Sequence, residues 1–339
     1  SKPMIIMNEF LVFDTIKIVT HSTHLKALDK TIFTTDIDLS DERTIRSVTF
    51  NSQRNRTIVP FELYIHANLL SGKMSIEFSS KILWEDYPKL ISSETFAQCL
   101  QNINETGICT LDIDSIMEDC YVTKLHVTKD IELKLTPAIL NSLNLCTGNF
   151  RRYNWERYKT AILFSKNVKS SNSKEAISIY DKGVEIVQAK NRGFLRLVEN
   201  ADKIIEYFVG KTRFEVKLEN MSKIKKELGI KDTSLKSVLN VKKNIVLSQF
   251  DKIFTETTVS NDVKIETLLE YGIWNIVCNH NGNLKAIEQE IKDLGIYGKG
   301  SRAALGRTMK RIKEMAQIWG NQEMKKDVVL EKVRCLLDQ

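Results

Sequence analysis

Strict alternation of apolar and polar positions recurs at four places in the first two thirds of the chain. Phe61 to Leu70 sets Phe61, Leu63, Ile65, Ala67 and Leu69 against Glu62, Tyr64, His66 and Asn68, and Tyr121 to Ile131 sets Leu125, Val127 and Ile131 against Lys124, His126, Thr128 and Asp130. Ala176 to Lys182 sets Ile177 and Ile179 against Ser178, Tyr180 and Lys182, and Thr212 to Leu218 sets Phe214, Val216 and Leu218 against Arg213, Glu215 and Lys217. A period of two is that of a β-strand, whose successive side chains point to opposite faces. Each segment thus has one face fit for a core and one that carries ionisable groups, the pattern of an antiparallel sheet backed by helices with its other face open. Leu11 to Val19 is also rich in β-formers, and Ser71-Gly72 reads as a two-residue hairpin turn that pairs Leu69 with Met74, Ala67 with Ile76 and His66 with Glu77.

Helical periodicity appears at Ser93 to Asn104, Pro137 to Leu145 and Phe194 to Phe208. Beyond Lys231 the pattern is helical throughout: Leu235 to Ile253, Val263 to Cys278, Leu284 to Leu294 and Ser301 to Trp319, with Gly295, Gly298 and Gly300 between the last two. Helix, glycine-rich turn and basic helix resembles a helix-turn-helix. The expectation is an α+β fold over residues 1–232, followed by an all-α domain over 233–339 that is a candidate for DNA binding.

Composition agrees with two folded domains: 339 residues, 42% hydrophobic and 27% charged, with only 4 Pro and 14 Gly. No apolar run approaches the roughly 20 residues that span a bilayer, so no membrane partner is expected. The 6 cysteines are scattered, without a C-x-x-C pair, and read as free thiols in a reducing compartment. The net charge of +7 matters through its concentration. Phe150 to Lys159 interleaves Arg151, Arg152, Arg157 and Lys159 with Tyr153 and Trp155, so that bases of an unpaired strand can stack on rings while cations hold phosphates. Lys299, Arg302, Arg307, Lys310 and Arg311 lie in an acid-free stretch suited to duplex phosphates, with Ala303, Leu305, Met309 and Ile312 expected to face the C-terminal core.

The chain has no G-x-x-x-x-G-K-[ST] loop, G-x-G-x-x-G turn, H-E-x-x-H helix or G-x-S-x-G elbow, which removes support for ATP-driven chemistry. The polar strand faces bring together His66, Glu77, His126, Asp130, Tyr180, Lys182 and Glu215 if the strands are neighbours. A tyrosine among cations and carboxylates suggests phosphoryl transfer. Its phenol has a reference pKa of about 10, so only about a thousandth is ionised at neutral pH and a partner must favour the charge that develops. Lys182, two residues from Tyr180 on a strand, shares its side.

Several segments, in order, resemble the filamentous-phage gene II and gene X type of phage and plasmid replication initiators. They are Phe13-Asp14-Thr15-Ile16-Lys17-Ile18, Ile76 to Leu83 with its Ser-x-x-Lys-like end, Val122 to Thr128, Tyr180-Asp181-Lys182-Gly183-Val184-Glu185, and Arg213-Phe214-Glu215-Val216-Lys217-Leu218 followed by Leu228-Gly229. The resemblance implies a rolling-circle initiator related to the HUH nickases, acting on origin DNA in the cytoplasm of a bacterial host and handing a primer to the host helicase and polymerase. Tyr180 then corresponds to the nucleophile, Lys182 to its companion, and Arg213 and Glu215 to the strand near the site, Arg213 counted among the DNA contacts. Related nickases use a His-apolar-His metal pair, which this chain lacks. His126, with Glu77, Asp130, His66 or Glu215 as partners, is the expected ligand set for Mg²⁺ or Mn²⁺. A non-catalytic DNA-binding replication organiser or repressor, and a relaxase for conjugative transfer, are the competing readings.

Overall fold

A computed structural model describes residues 11–38, 41–147, 153–158, 161–166, 176–257, 260, 262–298 and 300–339, with backbone alone for 41–43, 153–158, 162, 164–166 and 176. The strands are β1 (Phe13–His21), β2 (Leu25–Leu28), β3 (Thr34–Asp38), β4 (Asp41–Asn51), β5 (Leu63–Asn68), β6 (Lys73–Ser79), β7 (Cys109–Leu111), β8 (Tyr121–Ile131), β9 (Tyr153–Tyr158), β10 (Ala161–Lys166), β11 (Ala176–Asp181) and β12 (Thr212–Leu218). The chain forms two compact units, Ser1–Lys134 with Leu163–Val246 and Leu135–Ile162 with Leu247–Gln339. The change expected near residue 232 therefore lies at 246, and the helix Pro137–Leu145 joins the C-terminal helices.

In the first unit the main sheet runs β3-β4-β5-β6-β1-β8-β12-β11, with antiparallel neighbours throughout. The apolar side of the predicted alternation is buried at Ile16, Ile18, Ile65, Ile76, Phe78, Leu125, Ile179, Phe214 and Val216, whereas Leu69, in the turn, is exposed, and the polar side is not open at β12, where Arg213 and Glu215 are buried as well. The helices Ile113–Asp119 and Met221–Leu228 pack on β1, β8 and β12, and Phe96 at the start of the helix Phe96–Glu105 meets Phe78 with ring centroids 5.9 Å apart.

The β5–β6 register differs from the expectation. Tyr64 pairs with Glu77, His66 with Ser75 and Ala67 with Met74, because Leu69 to Gly72 all lie in the turn and Gly72, at φ +69, supplies its left-handed residue. A shift of two positions preserves which face each residue occupies, so the core pattern survives. Two predicted helices are interrupted. Phe194 to Phe208 is split into Arg192–Leu197 and Ala201–Phe208, and Leu235 to Ile253 into Leu235–Leu239 and Ile245–Ile253.

In the second unit Leu145, Val277, Leu284, Ile287, Met309, Ile312, Met315 and Ala316 share one core, contributed by the helices Pro137–Leu145, Leu268–Asn279, Leu284–Asp293 and Arg302–Met324. Met309 and Ile312 face it as expected and Leu305 packs on its margin, whereas Ala303 is exposed. Among the described residues no helix is long and apolar enough to cross a membrane.

Candidate functional site

The sequence Tyr180-Asp181-Lys182-Gly183 folds as a strand end that turns at once into a helix. Tyr180 is the last residue of β11 on the polar face, opposite Arg213 of β12. Asp181 caps the helix Lys182–Ile186, its Oδ1 accepting from the Val184 N–H at 2.9 Å. Lys182 therefore opens a helix rather than continuing the strand, yet its buried Nζ lies 5.8 Å from the centroid of the Tyr180 ring. Gly183 has no Cβ because one built there would sit 2.8 Å from the Phe208 carbonyl oxygen.

Tyr180 donates its hydroxyl proton to Glu215 Oε1 at 2.5 Å. The two residues are diagonal neighbours on β11 and β12, a geometry within reach of an aromatic side chain. Burial in the cleft, reinforced by the Glu215 carboxylate, holds the phenol well above its ordinary pKa. The hydroxyl is thus protonated and already bonded to a proton acceptor.

Arg213 is fully buried and holds the floor of the site. Its guanidinium donates to both oxygens of Asp130 at 2.7 Å, to Asp14 Oδ1 at 2.8 Å and to the Tyr87 hydroxyl at 3.2 Å. Burial would lower its pKa, but Asp130 and the other partners raise it well above the usual value. Burial likewise opposes the charge on Asp14, yet Arg213, Lys182 and Lys81 hold that carboxyl below its usual range, with help from the 2.8 Å hydrogen bond of Ser80. With no exposed surface, Arg213 contacts no DNA; it positions the strand on which Glu215 stands.

Above this floor is a cavity of about 290 Å³ whose lining includes Tyr180, Glu215, His126, Lys182, Lys217 and Arg56. Lys81, Lys190, Glu185 and Asn191 close one side. Glu185 receives Lys182, Lys190 at 2.7 Å and the Asn191 amide at 3.1 Å, and Lys81 donates to Asn191 Oδ1 at 2.7 Å. Burial raises the Glu185 pKa, but these cations outweigh it and keep the carboxyl ionised to low pH. Arg56 has no ion-pair partner among the described residues, and Lys217 has none within 4.0 Å, though, after the His126 hydrogen bond, its charge helps hold the Glu219 carboxyl below its ordinary pKa.

The residues expected to bind Mg²⁺ or Mn²⁺ do not converge. Asp130 is engaged by Arg213, and Glu77 by Lys124 at 2.8 Å and Lys17 at 3.7 Å. His66 shares a hydrogen bond with Thr49 at 2.8 Å, and His126 bonds Glu219 at 3.1 Å. Only His126 and Glu215 of the five line the cavity. Among the described residues no group of three or more His, Cys, Asp or Glu is arranged to hold a metal ion. This donor set does not fit a divalent cation, because its members do not share one pocket and each is committed elsewhere: Asp130 and Glu77 to cations, His66 to Thr49, His126 to Glu219 and Glu215 to Tyr180.

Tyr153, Trp155 and Arg157 lie on β9 with side chains outside the described residues; Arg151, Arg152, Lys159 and Lys299 also lie outside them. Arg302, Arg307 and Lys310 are exposed on the helix Arg302–Met324, whereas Arg311 is engaged by Glu270 at 2.6 Å and Glu314 at 3.2 Å. All six cysteines are free.

Asp14, Tyr87, Lys81, Glu185 and Asn191 complete the site without having been singled out by pattern. Asp14 shares parity with the buried Ile16 and Ile18, but the β1–β8 pairing shifts between Phe13 and Thr15. The extra residue at such a bulge re-aims a side chain, here onto the polar face. Tyr87 comes from the 3-10 segment Ser80–Lys89, where positive φ at Trp84 (53) and just beyond at Leu90 (59) leaves no period to read. No family model, curated relative or solved structure matches this chain.

Proposed function

We propose that the protein is a tyrosine strand transferase acting on DNA, a nickase that starts rolling-circle replication at an origin. The observation that carries this reading is the 2.5 Å hydrogen bond from the Tyr180 hydroxyl to Glu215 at the edge of a cation-lined cavity. Tyr180 Oη attacks the phosphorus of one phosphodiester, forming a P–Oη bond as the bond to the 3′ oxygen breaks. The phenolic proton passes to Glu215, and the departing oxygen takes a proton from water to become a free 3′-hydroxyl. The products are a 5′-phosphotyrosine and a primer terminus for the host polymerase. One phosphoester replaces another, so religation needs no nucleotide hydrolysis, in keeping with a chain that has no phosphate-binding loop. Lys217 and Arg56 line the cavity and are available to the non-bridging oxygens, where fixed charges oppose the charge that builds in the transition state. Lys182, tied to Glu185, positions the Tyr180 ring.

The test is incubation with supercoiled DNA that carries the cognate origin. Wild type is expected to yield nicked circles and a protein–DNA adduct, and Tyr180→Phe to bind the same DNA and yield neither. Nicking by Tyr180→Phe at the wild-type rate would remove the nucleophile. Binding by wild type without any nick, over a range of divalent-ion conditions, would instead favour a replication organiser or repressor.

A further inference from the structure

A second cavity, of about 460 Å³, lies beside the first on the β3-β4-β5 side of the sheet. Its lining includes Thr34, Thr49, Asn51, Arg54, Asn55 and Tyr64. Glu62 lines the Tyr180 cavity and Tyr64 the second, two positions apart and therefore on one face. The connection between β4 and β5 presents Arg54 to the second cavity and Arg56 to the first. Both arginines are exposed, and neither has an ion-pair partner among the described residues.

The floor of the second cavity is suited to a planar ring. Tyr64 is half-buried, lies 16° from parallel with the His66 imidazole at 6.4 Å between centroids, and has Lys17 Nζ 5.8 Å from its own centroid. The two amides offer a complementary edge. Asn51 Oδ1 accepts from the Gln53 N–H and Asn55 Nδ2 donates to the Asn51 carbonyl, which leaves the NH2 of one and the oxygen of the other uncommitted among the described residues. A donor and an acceptor beside an aromatic face is how proteins hold an unstacked base.

We infer that this cavity is a nucleoside subsite for single-stranded DNA whose scissile phosphate lies at Tyr180, with Arg54 and Arg56 following the backbone from one cavity to the next. The inference rests on the strand-transfer reading of the first cavity and extends it by naming where the same strand is held away from the cut. Five strand spacings separate β11, which carries Tyr180, from β5, which carries Tyr64, about 24 Å at roughly 4.8 Å each. A stacked strand rising about 3.4 Å per nucleotide covers that in about seven nucleotides, and an extended one in fewer.

The experiment measures fluorescence anisotropy of labelled oligo(dT) of 2 to 12 nucleotides on full-length Tyr180→Phe, so that binding is read without cleavage. Affinity is expected to rise about tenfold between four and eight nucleotides, the usual scale of one stacked base. Adding Tyr64→Leu or Arg54→Gln should abolish that rise while leaving oligo(dT)4 binding and the thermal melt unchanged. Identical length curves for all variants would overturn the subsite. So would saturation by dTMP with no gain from longer chains, which would identify a mononucleotide site. Absence of nicking by wild type together with an intact length curve strikes the strand-transfer reading alone; nicking by wild type together with a flat curve strikes the subsite alone.

Discussion

Glu215 and Arg213 stand two positions apart on one face of β12 and have opposite tasks. Arg213 is spent on Asp130 and Asp14, while Glu215 keeps one oxygen on the Tyr180 hydroxyl. Since the phenol pKa lies well above 10, the phenolate fraction between pH 7 and 9 rises about tenfold per pH unit. Without its acceptor, Tyr180 must rely on that fraction. Glu215→Gln is therefore expected to lower the adduct-forming rate by about 10²- to 10⁴-fold. The residual rate should climb about tenfold per pH unit, a steeper slope than wild type; equal slopes would show that Glu215 does not take the proton. Arg213→Met leaves two carboxylates without their cation and should cost about 3–5 kcal/mol in urea unfolding, and a cost below about 1 kcal/mol would mean that the cluster does not hold the strand. Tyr180, Glu215 and Arg213 were legible in the sequence because strand parity puts Arg213 and Glu215 on one face of one strand and Tyr180 on the polar face of another, and the family resemblance joins the two strands. Asp14 was not, since a bulge reverses parity and only tertiary pairing discloses a bulge.

At the scale of elements, the join between β11 and the following helix explains why Tyr, Asp, Lys and Gly occur together. The strand aims the phenol, the aspartate caps the helix, the lysine folds back under the ring, and the glycine lets the helix touch Phe208 and Val209. Gly183→Ala would bring a Cβ to 2.8 Å from backbone oxygen and 3.3 Å from the Val209 Cα, neither of which can rotate away. The expected loss is about 1–3 kcal/mol, read as a lowered midpoint in thermal unfolding; an unchanged midpoint would mean that the join is loose. Strands were easier to read than helices for a physical reason. The β5–β6 register moved by two positions and kept every face, whereas Val198 to Asn200 interrupts a helix that its apolar spacing alone would continue. Tyr87 stayed hidden because it belongs to a 3-10 segment with a positive φ at Trp84 inside it and another at Leu90 just beyond.

At the scale of the whole molecule, the two units are discontinuous in sequence, and the excursion Leu135–Ile162 supplies Leu145 to the C-terminal core. No periodicity announces that a helix in the first half packs with helices from the last third. Lys313 in that second unit donates to the Thr147 carbonyl, and burial lowers its pKa to about 8. Its folded-state pKa lies below the unfolded value near 10.4, so from about pH 8 to 10 the unfolded chain binds more protons and this group adds stability as pH rises. Lys313→Met should remove that upward contribution from the unfolding free energy of the second unit. A variant with the wild-type pH slope would show that Lys313 is solvated. The net charge of +7 is likewise a poor guide to a DNA surface, because many cations, Arg311 and Arg213 among them, are already paired.

Strand transfer as proposed requires Tyr180 to exchange one phosphoester for another with Glu215 as proton acceptor. Its most direct measurement is tandem mass spectrometry of the trapped protein–DNA adduct, formed once with EDTA and once with Mn²⁺. A nucleotide esterified to Tyr180 is expected in both samples, with less than about tenfold difference in yield. A nucleotide on another residue would contradict it, as would an adduct that forms only with the metal.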